Sequence, residues 1–268
     1  MIHPFLIGDQ WRRGTAGRTF ESINPADGSV AAVVAESSQQ DVDDAVAAAQ
    51  AALADPTWAN LYPHQRARLL RRLGDLVDAN GEKLAQLQSR DNGKTIAESR
   101  AQVGWAGDVF RYYAGVCETF ESAVIPSRGN YLLTSTYEPM GVVAAITPWN
   151  SPISLEAQKL APALAAGNAV VLKSSEVTPM VGLEYGKLVL EAGFPPGVVN
   201  VVTGGVDVGR ALVGHAGVDM VTFTGGVAGG RAVARAAAER LVPALLELGG
   251  KSPNIIFDDA DIDHAVIG

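Results

Sequence analysis

The sequence predicts an α/β protein built on a doubly wound parallel sheet, preceded by N-terminal helices and a β-arm. Three observations carry that expectation. From Gly141 onward, short β-rich runs (Val142–Ile146, Ala169–Leu172, Val198–Val202, Met220–Phe223 and Ala244–Leu248) alternate with stretches of helical length, the rhythm of right-handed parallel crossovers. The residues just after each run are polar or rich in glycine. Glycine itself is in excess, 29 residues where average usage gives roughly 19, and much of the excess falls after residue 140.

A chain of 268 residues has room for one to two domains and a sizeable core. Hydrophobic residues at 47% against 19% charged, with no low-complexity tract, exclude a disordered tail, a coiled coil and a fibrous repeat. Lys and Arg number 21 against 29 Asp and Glu, a net charge of −8, which is the wrong sign for holding a phosphate backbone, so no nucleic-acid partner is expected. The longest apolar runs, such as Gly141–Ile146, are far too short to span a bilayer. One cysteine forms no internal disulfide, and Met1–Trp11 lacks a basic segment followed by an apolar one, so the default expectation is a cytoplasmic protein.

Taken in order, Phe5–Ile7, Arg18–Ile23 and Val30–Ala35 read as short strands separated by the Asn24-Pro25 and Asp27-Gly28 turns. Ser38 with Asp41 forms a capping-box pattern, and Val42, Ala45, Val46, Ala49 and Leu53 then share one helical face until Pro56. Pro63 suits the first turn of the next helix; its stripe is Leu69, Leu70, Leu73, Leu76 and Val77, and Asn80-Gly81 ends it. A third long helix spans Thr95–Phe120. Tyr131–Tyr137 alternates like a half-exposed strand, an arm able to pair with something else. In the second half, helices fit residues 153–166, 179–192, 206–214 and 228–239.

In such sheets ligands bind beyond the carboxyl ends of the strands. The residues found there are Thr147-Pro148-Trp149-Asn150, Lys173-Ser174-Ser175-Glu176, Thr203-Gly204-Gly205, Thr224-Gly225-Gly226 and Glu247-Leu248-Gly249-Gly250. Loops of this kind let a ligand approach the backbone and offer N–H groups at helix N-termini to phosphate. A nucleotide is the natural ligand, although αβ loops are rich in glycine in any case. The fingerprints G-x-G-x-x-G and G-x-x-x-x-G-K-[ST] are both absent, as is the G-x-S-x-G elbow. His3, His64, His215 and His264 are scattered, no H-E-x-x-H occurs, and no second cysteine exists to complete a ligand pair, so no metal site is expected.

The strings Thr147-Pro148-Trp149-Asn150, Lys173-Ser174-Ser175-Glu176-Val177-Thr178-Pro179, Phe223-Thr224-Gly225-Gly226 and Leu246-Glu247-Leu248-Gly249-Gly250-Lys251-Ser252-Pro253 resemble, in order and spacing, the aldehyde dehydrogenase superfamily. The resemblance begins at Ile7-Gly8 and runs to the last residue. It implies a Rossmann-like NAD(P)-binding fold and NAD(P)-dependent oxidation of a small-molecule aldehyde to a carboxylic acid through a cysteine thioester. NAD is the implied cofactor, with NADP admitted. By the resemblance, Asn150 donates to the oxyanion and Glu247 is the general base. Glu247's apolar setting, Ala244–Leu248, favours the neutral acid and suits a base working near neutrality. Lys173 and Glu176 match the pair that holds the adenosine ribose. The cofactor-binding set is Ile146, Thr147, Pro148, Trp149, Lys173, Ser175, Glu176, Gly204, Gly209, Phe223, Thr224, Gly225, Gly226, Leu248 and Gly249. Taken singly, these residues have plainer readings. Asn150 closes a turn, Glu247 pairs with a lysine at a sheet edge, and Lys173 with Glu176 is a surface ion pair.

Two residues depart from the family's habit: Ser174 stands where it usually has proline, and Gly226 where it often has serine. A larger departure is the nucleophile. The family's catalytic cysteine lies beyond the Glu-Leu-Gly-Gly motif, and Gly268 comes before it. Cys117 matches no catalytic position and is expected to be an inert helix cysteine. The organisation expected is N-terminal strands and helices over 1–120, an oligomerisation β-arm over 121–140, a dinucleotide-binding core over 141–249 and the start of a catalytic domain over 250–268, its first strand near Asn254–Phe257. The chain therefore reads as the N-terminal half of such an enzyme, inactive alone and a homo-oligomer at full length. Its rivals are a non-catalytic nucleotide-binding or interaction module and an unrelated doubly wound dehydrogenase.

Overall fold

The computed structural model describes residues 1–267. The chain opens with β1 (Ile2–His3), β2 (Phe5–Ile7), β3 (Gln10–Arg12), β4 (Thr19–Ile23) and β5 (Val30–Ala35). β1, β5 and β4 form a small sheet, whereas β2 and β3 make a hairpin that joins the main one. Its two-residue turn places Gly8 at φ +64°, a left-handed conformation that glycine adopts without steric cost. The Gly8 N–H donates to Asn200 Oδ1 at 2.9 Å, pinning the hairpin to the sheet.

α1 (Gln39–Ala54) starts at the expected capping box. Ser38 Oγ accepts from the Asp41 N–H at 3.2 Å, and the Asp41 carboxylate accepts from the Ser38 N–H at 2.8 Å. Pro56 ends this helix as expected, but it also begins α2 (Pro56–Ala59), because Asp55 accepts from the Thr57 N–H at 2.8 Å. α3 (Pro63–Ala79) is followed at once by α4 (Gly81–Asn92), which the sequence reading left out. Asn80-Gly81 does stop a helix, but the chain restarts there. Two of α4's four buried residues, Gln88 and Asp91 beside Leu84 and Ala85, are polar, so its inward face carries no apolar stripe. α5 (Ile96–Thr119) is capped by Thr95, whose Oγ1 accepts from the Glu98 N–H at 3.3 Å. α3 and α5 approach closely: a Cβ on Gly74 would stand 2.9 Å from the Gly107 carbonyl oxygen.

The arm is an antiparallel ribbon, β6 (Ala123–Ile125) against β7 (Leu133–Ser135), exposed along its whole length. The expected strand at Tyr131–Tyr137 thus contracts to three residues, and its partner is the chain's own β6.

The α/β half runs β8 (Val142–Ile146), α6 (Pro152–Ala165), β9 (Ala169–Lys173), α7 (Met180–Ala192), β10 (Val199–Val202), α8 (Val206–Gly214), β11 (Met220–Gly225), α9 (Val227–Arg240) and β12 (Ala244–Leu248), with α10 (Ile262–Ile267) at the end. The seven-stranded sheet has the order β12-β11-β8-β9-β10-β2-β3. β8 to β12 are mutually parallel, and β8, β9 and β10 are buried throughout, which is why they are almost continuously apolar. α1, α8 and α9 cover one face; α6 and α7 cover the other, backed by α3, α4 and α5. One expected strand is not found: residues 254–257 are exposed and irregular. Apolar and β-branched residues become a strand only where a neighbouring backbone completes the ladder.

Asp41 is fully buried and accepts from Ser38 and from the backbone and hydroxyl of Thr15. Asp41→Ala is expected to lower stability by about 1.5–3 kcal/mol, since it removes the charged acceptor that ties Ser38 and Thr15 to α1, and Ser38→Ala by about 1 kcal/mol. Urea midpoints measure both, and equal losses would contradict the central role of Asp41.

Candidate functional site

The ladder brings five chain-distant loops to one edge. Ile146 is in register with Lys173 on one side and Phe223 on the other; Lys173 is in register with Val202, Thr224 with Glu247, and Gly225 with Leu248. From β8 the chain builds outward through β9 and β10, then crosses back to lay β11 on the other side of β8. β8 is therefore the switch point of the sheet, beyond whose carboxyl end folds of this kind bind ligands.

Around it, Ile146 and Thr147 are buried, Pro148 is half-buried, and Trp149 and Asn150 are exposed. The Thr147 N–H donates to the Lys173 carbonyl at 3.2 Å. Asn92, on the unexpected helix α4, donates from Nδ2 to the Trp149 and Asn150 carbonyls at 3.1 and 3.2 Å. It thus holds that loop from below, a role no sequence motif advertises. Lys173 is buried and its Nζ donates to Glu176 Oε2 at 3.0 Å. Burial works to raise the Glu176 acid, but the Lys173 ammonium and the hydrogen bonds outweigh it and hold the group below its usual range. Ser175 is nearly buried, and its Oγ accepts from the Val177 N–H at 3.3 Å.

Gly204 lies at φ +139° directly after β10, where any side chain would press on Val208. Gly209, in the second turn of α8, faces open space, as do Gly226 and Gly249. Phe223, Thr224 and Gly225 are half-buried. The N-termini of α8 and α9, at Gly205 and Gly226, receive no side-chain cap, so their first N–H groups remain available to a ligand; α6 begins with Pro152, and its Ile153 N–H is taken by Gln88 Oε1 at 3.1 Å.

Glu247 departs from expectation. It and Leu248 are exposed, because β12 is the outermost strand of the sheet. The apolar enclosure inferred from its sequence neighbours is therefore absent, and among the described residues Glu247 forms no ion pair within 4.0 Å. Its charge acts on Lys159, on α6, whose Nζ donates to Thr222 Oγ1 at 2.8 Å. Burial pushes the Lys159 amine down to about 8, with Glu247 opposing the shift.

Glu156, another residue without a motif, is fully buried in α6. Its Oε1 accepts from Ser174 Oγ at 2.7 Å and from Thr147 Oγ1 at 3.4 Å. Burial pushes the acid up to about 8; the two hydroxyls pull it down and Asp91 adds to the rise.

Cys117 lies elsewhere. It is buried in α5, and its thiol donates to the Pro63 and Ala165 carbonyls at 3.2 and 3.3 Å. Burial raises the thiol, with Arg66 and Arg71 pulling weakly the other way. Ala165 is the last residue of α6, whose first turn adjoins Asn150. A helix of 14 residues is about 20 Å long, so Cys117 sits near the opposite edge of the sheet. Among the described residues, no group of three or more His, Cys, Asp or Glu is placed to hold a metal ion. No described helix is long and apolar enough to cross a membrane.

Comparison with known proteins gives a consistent result. Residues 11–268 match the model of the aldehyde dehydrogenase family. The chain is 44% identical over 264 residues to aldehyde dehydrogenase family 2 member B4, mitochondrial, of Arabidopsis thaliana, covering 97% of this chain and 49% of that protein. Among solved structures, the NAD+ complex of an aldehyde dehydrogenase from Bacillus cereus superposes with a TM-score of 0.97 at 41% identity, covering 100% of this chain and 55% of that one. A point mutant of betaine aldehyde dehydrogenase from Staphylococcus aureus, in complex with NAD+, superposes with a TM-score of 0.96 at 37% identity, over 99% of this chain and 54% of that one. The chain thus spans about half the length of the relatives it matches.

The buried acid of Glu156 makes stability depend on pH. Below about 4.5 both the folded and unfolded states hold its proton. Between about 4.5 and 8 only the folded state does, so stability falls as pH rises through that window. Glu156→Gln is expected to remove Glu156's share of this slope, leaving that of buried Asp91, whose acid is raised to about 6, and to be more stable than the parent at pH 8 by on the order of 1–3 kcal/mol. Denaturant midpoints at pH 5, 6, 7 and 8 test this, and parallel curves for the two proteins would refute it.

Proposed function

This chain belongs to the aldehyde dehydrogenase family, and we propose that it forms the nucleotide-binding half of an NAD-dependent oxidation of an aldehyde to a carboxylic acid. The observation that carries this reading is the convergence, at one edge of the sheet, of the Lys173–Glu176 pair with the uncapped N-termini of α8 and α9. That donor set fits a dinucleotide. A buried ammonium donates to, and a carboxylate accepts from, ribose hydroxyls, and free N–H groups at helix N-termini receive a pyrophosphate.

In this reading Lys173 and Glu176 hold the adenosine ribose, with Ile146, Thr147, Pro148, Trp149 and Ser175 forming the wall beside it. Gly204, Gly209, Phe223, Thr224, Gly225 and Gly226 let the backbone approach the phosphates, and Leu248 and Gly249 line the far side. When bound, the nicotinamide supplies a hydride acceptor. The Asn150 amide donates a hydrogen bond to the substrate oxygen as negative charge develops on it. Glu247 takes a proton from the water that completes the acid; its exposure leaves it open to solvent. The segments 1–120 and 141–249 together make this nucleotide-binding unit, and 250–268 begins the next one. We assign the exposed β6–β7 ribbon of segment 121–140 to contact with further copies of the chain. A reducing compartment such as the cytoplasm suits a chain with a single cysteine; the Arabidopsis relative is named as mitochondrial.

Catalysis also needs a thiolate. Cys117, the cysteine within residues 1–268, is buried and remote from Asn150 and does not supply it. Residues 1–268 alone are therefore expected to bind NAD but to form no NADH from aliphatic or aromatic aldehydes above the uncatalysed rate, followed by absorbance. Turnover abolished by Cys117→Ser would overturn this.

Calorimetric titration with both cofactors tests the binding reading. NAD is expected to bind more tightly than NADP, because a 2′-phosphate would meet the Glu176 carboxylate, and Glu176→Gln should narrow the difference. Lys173→Ala should weaken NAD by about 1.5–3 kcal/mol, the worth of a charged hydrogen bond. Tighter NADP binding by the parent chain would refute the preference.

A further inference from the structure

Glu156 takes no part in the proposed chemistry, yet it touches both loops that flank the candidate ribose site. Thr147 follows β8 and Ser174 follows β9. These neighbouring strands end in register at Ile146 and Lys173, so the two hydroxyls emerge side by side over α6. One carboxylate oxygen, Oε1, accepts from both, at 2.7 Å from Ser174 and 3.4 Å from Thr147. The other, Oε2, is buried and meets no hydrogen-bonding partner among the described residues, so the group's bonding is directed wholly at the two loops.

α7 closes the arrangement from the far side. A Cβ on Gly182 would overlap Ser174 Oγ and stand 3.3 Å from Glu156 Oε1. A glycine there leaves room for the Ser174 hydroxyl between helix and carboxyl. The other ionisable groups facing Glu156 are Asp91 of α4 and Tyr185 of α7. Tyr185 is spent elsewhere, its hydroxyl donating to the Ile153 carbonyl at 2.8 Å. Ser174 is bonded covalently to Lys173 and lies two residues before Glu176. A displacement of Ser174 is therefore a displacement of the ion pair.

We propose that Glu156 is a positioning residue for the nucleotide: by tying the loop after β8 to the loop after β9, it fixes where Lys173 and Glu176 stand to receive the adenosine ribose. This inference rests on the nucleotide reading above. A merely structural carboxyl would alter stability and leave the affinity of the folded protein unchanged, and a glutamine would not restore what alanine removes.

The test is calorimetric titration of NAD and of AMP, which carries the adenosine half alone, into the parent chain and into Glu156→Ala, Glu156→Gln, Ser174→Ala and Thr147→Val, each checked for folding by circular dichroism. Glu156→Ala and Ser174→Ala are expected to lose about three- to tenfold in affinity for both ligands, the worth of one neutral hydrogen bond. Thr147→Val should lose less, since its bond is long. Glu156→Gln should stay within twofold of the parent, because its amide oxygen accepts from the same hydroxyls. Should Glu156→Ala fail to fold, Ser174→Ala still decides, as it removes a single oxygen. Folded Ser174→Ala with the parent's affinity for AMP, or Glu156→Gln falling as far as alanine, would overturn the proposal while leaving the nucleotide reading intact. A parent chain that binds neither NAD nor AMP would overturn both.

Discussion

Parallel hydrogen bonding between β8 and its two neighbours is the constraint on which the rest of the structure depends. A parallel ladder points every strand the same way, so residues separated by more than a hundred positions, from Ile146 to Leu248, end at a common edge. The crossover that sends β9 to one side of β8 and β11 to the other makes that edge a switch point, where sheets of this kind bind ligands. The helices follow from the same geometry: each must begin at that edge and return, which brings the uncapped N-termini of α8 and α9 to the same place. An edge with free helix N-termini is thus a result of strand direction more than of any single motif, and the lack of G-x-G-x-x-G does not remove it.

The edge is also where the protein places its costly groups. Lys173, Lys159 and Glu156 are all buried behind the five loops. An ionisable group withdrawn from water is tolerated when it is paired, hydrogen-bonded or neutralised. Lys173 has Glu176, Lys159 has the Thr222 hydroxyl, and Glu156 has two hydroxyls. α4 contributes from beneath through Asn92, which holds the Trp149–Asn150 backbone. The N-terminal helices and the α/β core therefore build the site together.

The opposite edge explains Cys117. The long helix α5 packs along α6 and α3, and the thiol meets the carbonyl that ends α6. Such a thiol is withdrawn from solvent and held by backbone acceptors, a setting that disfavours the thiolate. The length of one helix separates it from Asn150.

Much of this was legible in the sequence because the signals are local. The Ser38–Asp41 cap, the Pro63 start, the apolar strands from Val142 onward and the glycines that follow them each depend on a few neighbouring residues, and the structure places the corresponding elements within a residue or two. α4 was missed because Gln88 and Asp91 face inward, and their partners, Ser99, Ile153 and Met180, are distant in the chain. The exposure of Glu247 was missed because an apolar run says nothing about whether another layer covers it, and β12 is the outer strand. Glu156 and Lys159 carried no motif at all, since their roles exist only once β8, β9 and β11 lie side by side over α6. By itself the sequence determined the elements, their order and the residues at each strand end, because propensity, capping and turn chemistry act within a few positions. Only the tertiary structure decided which groups are buried together and which meet water, because burial is set by the layers that pack around a residue and not by its neighbours along the chain.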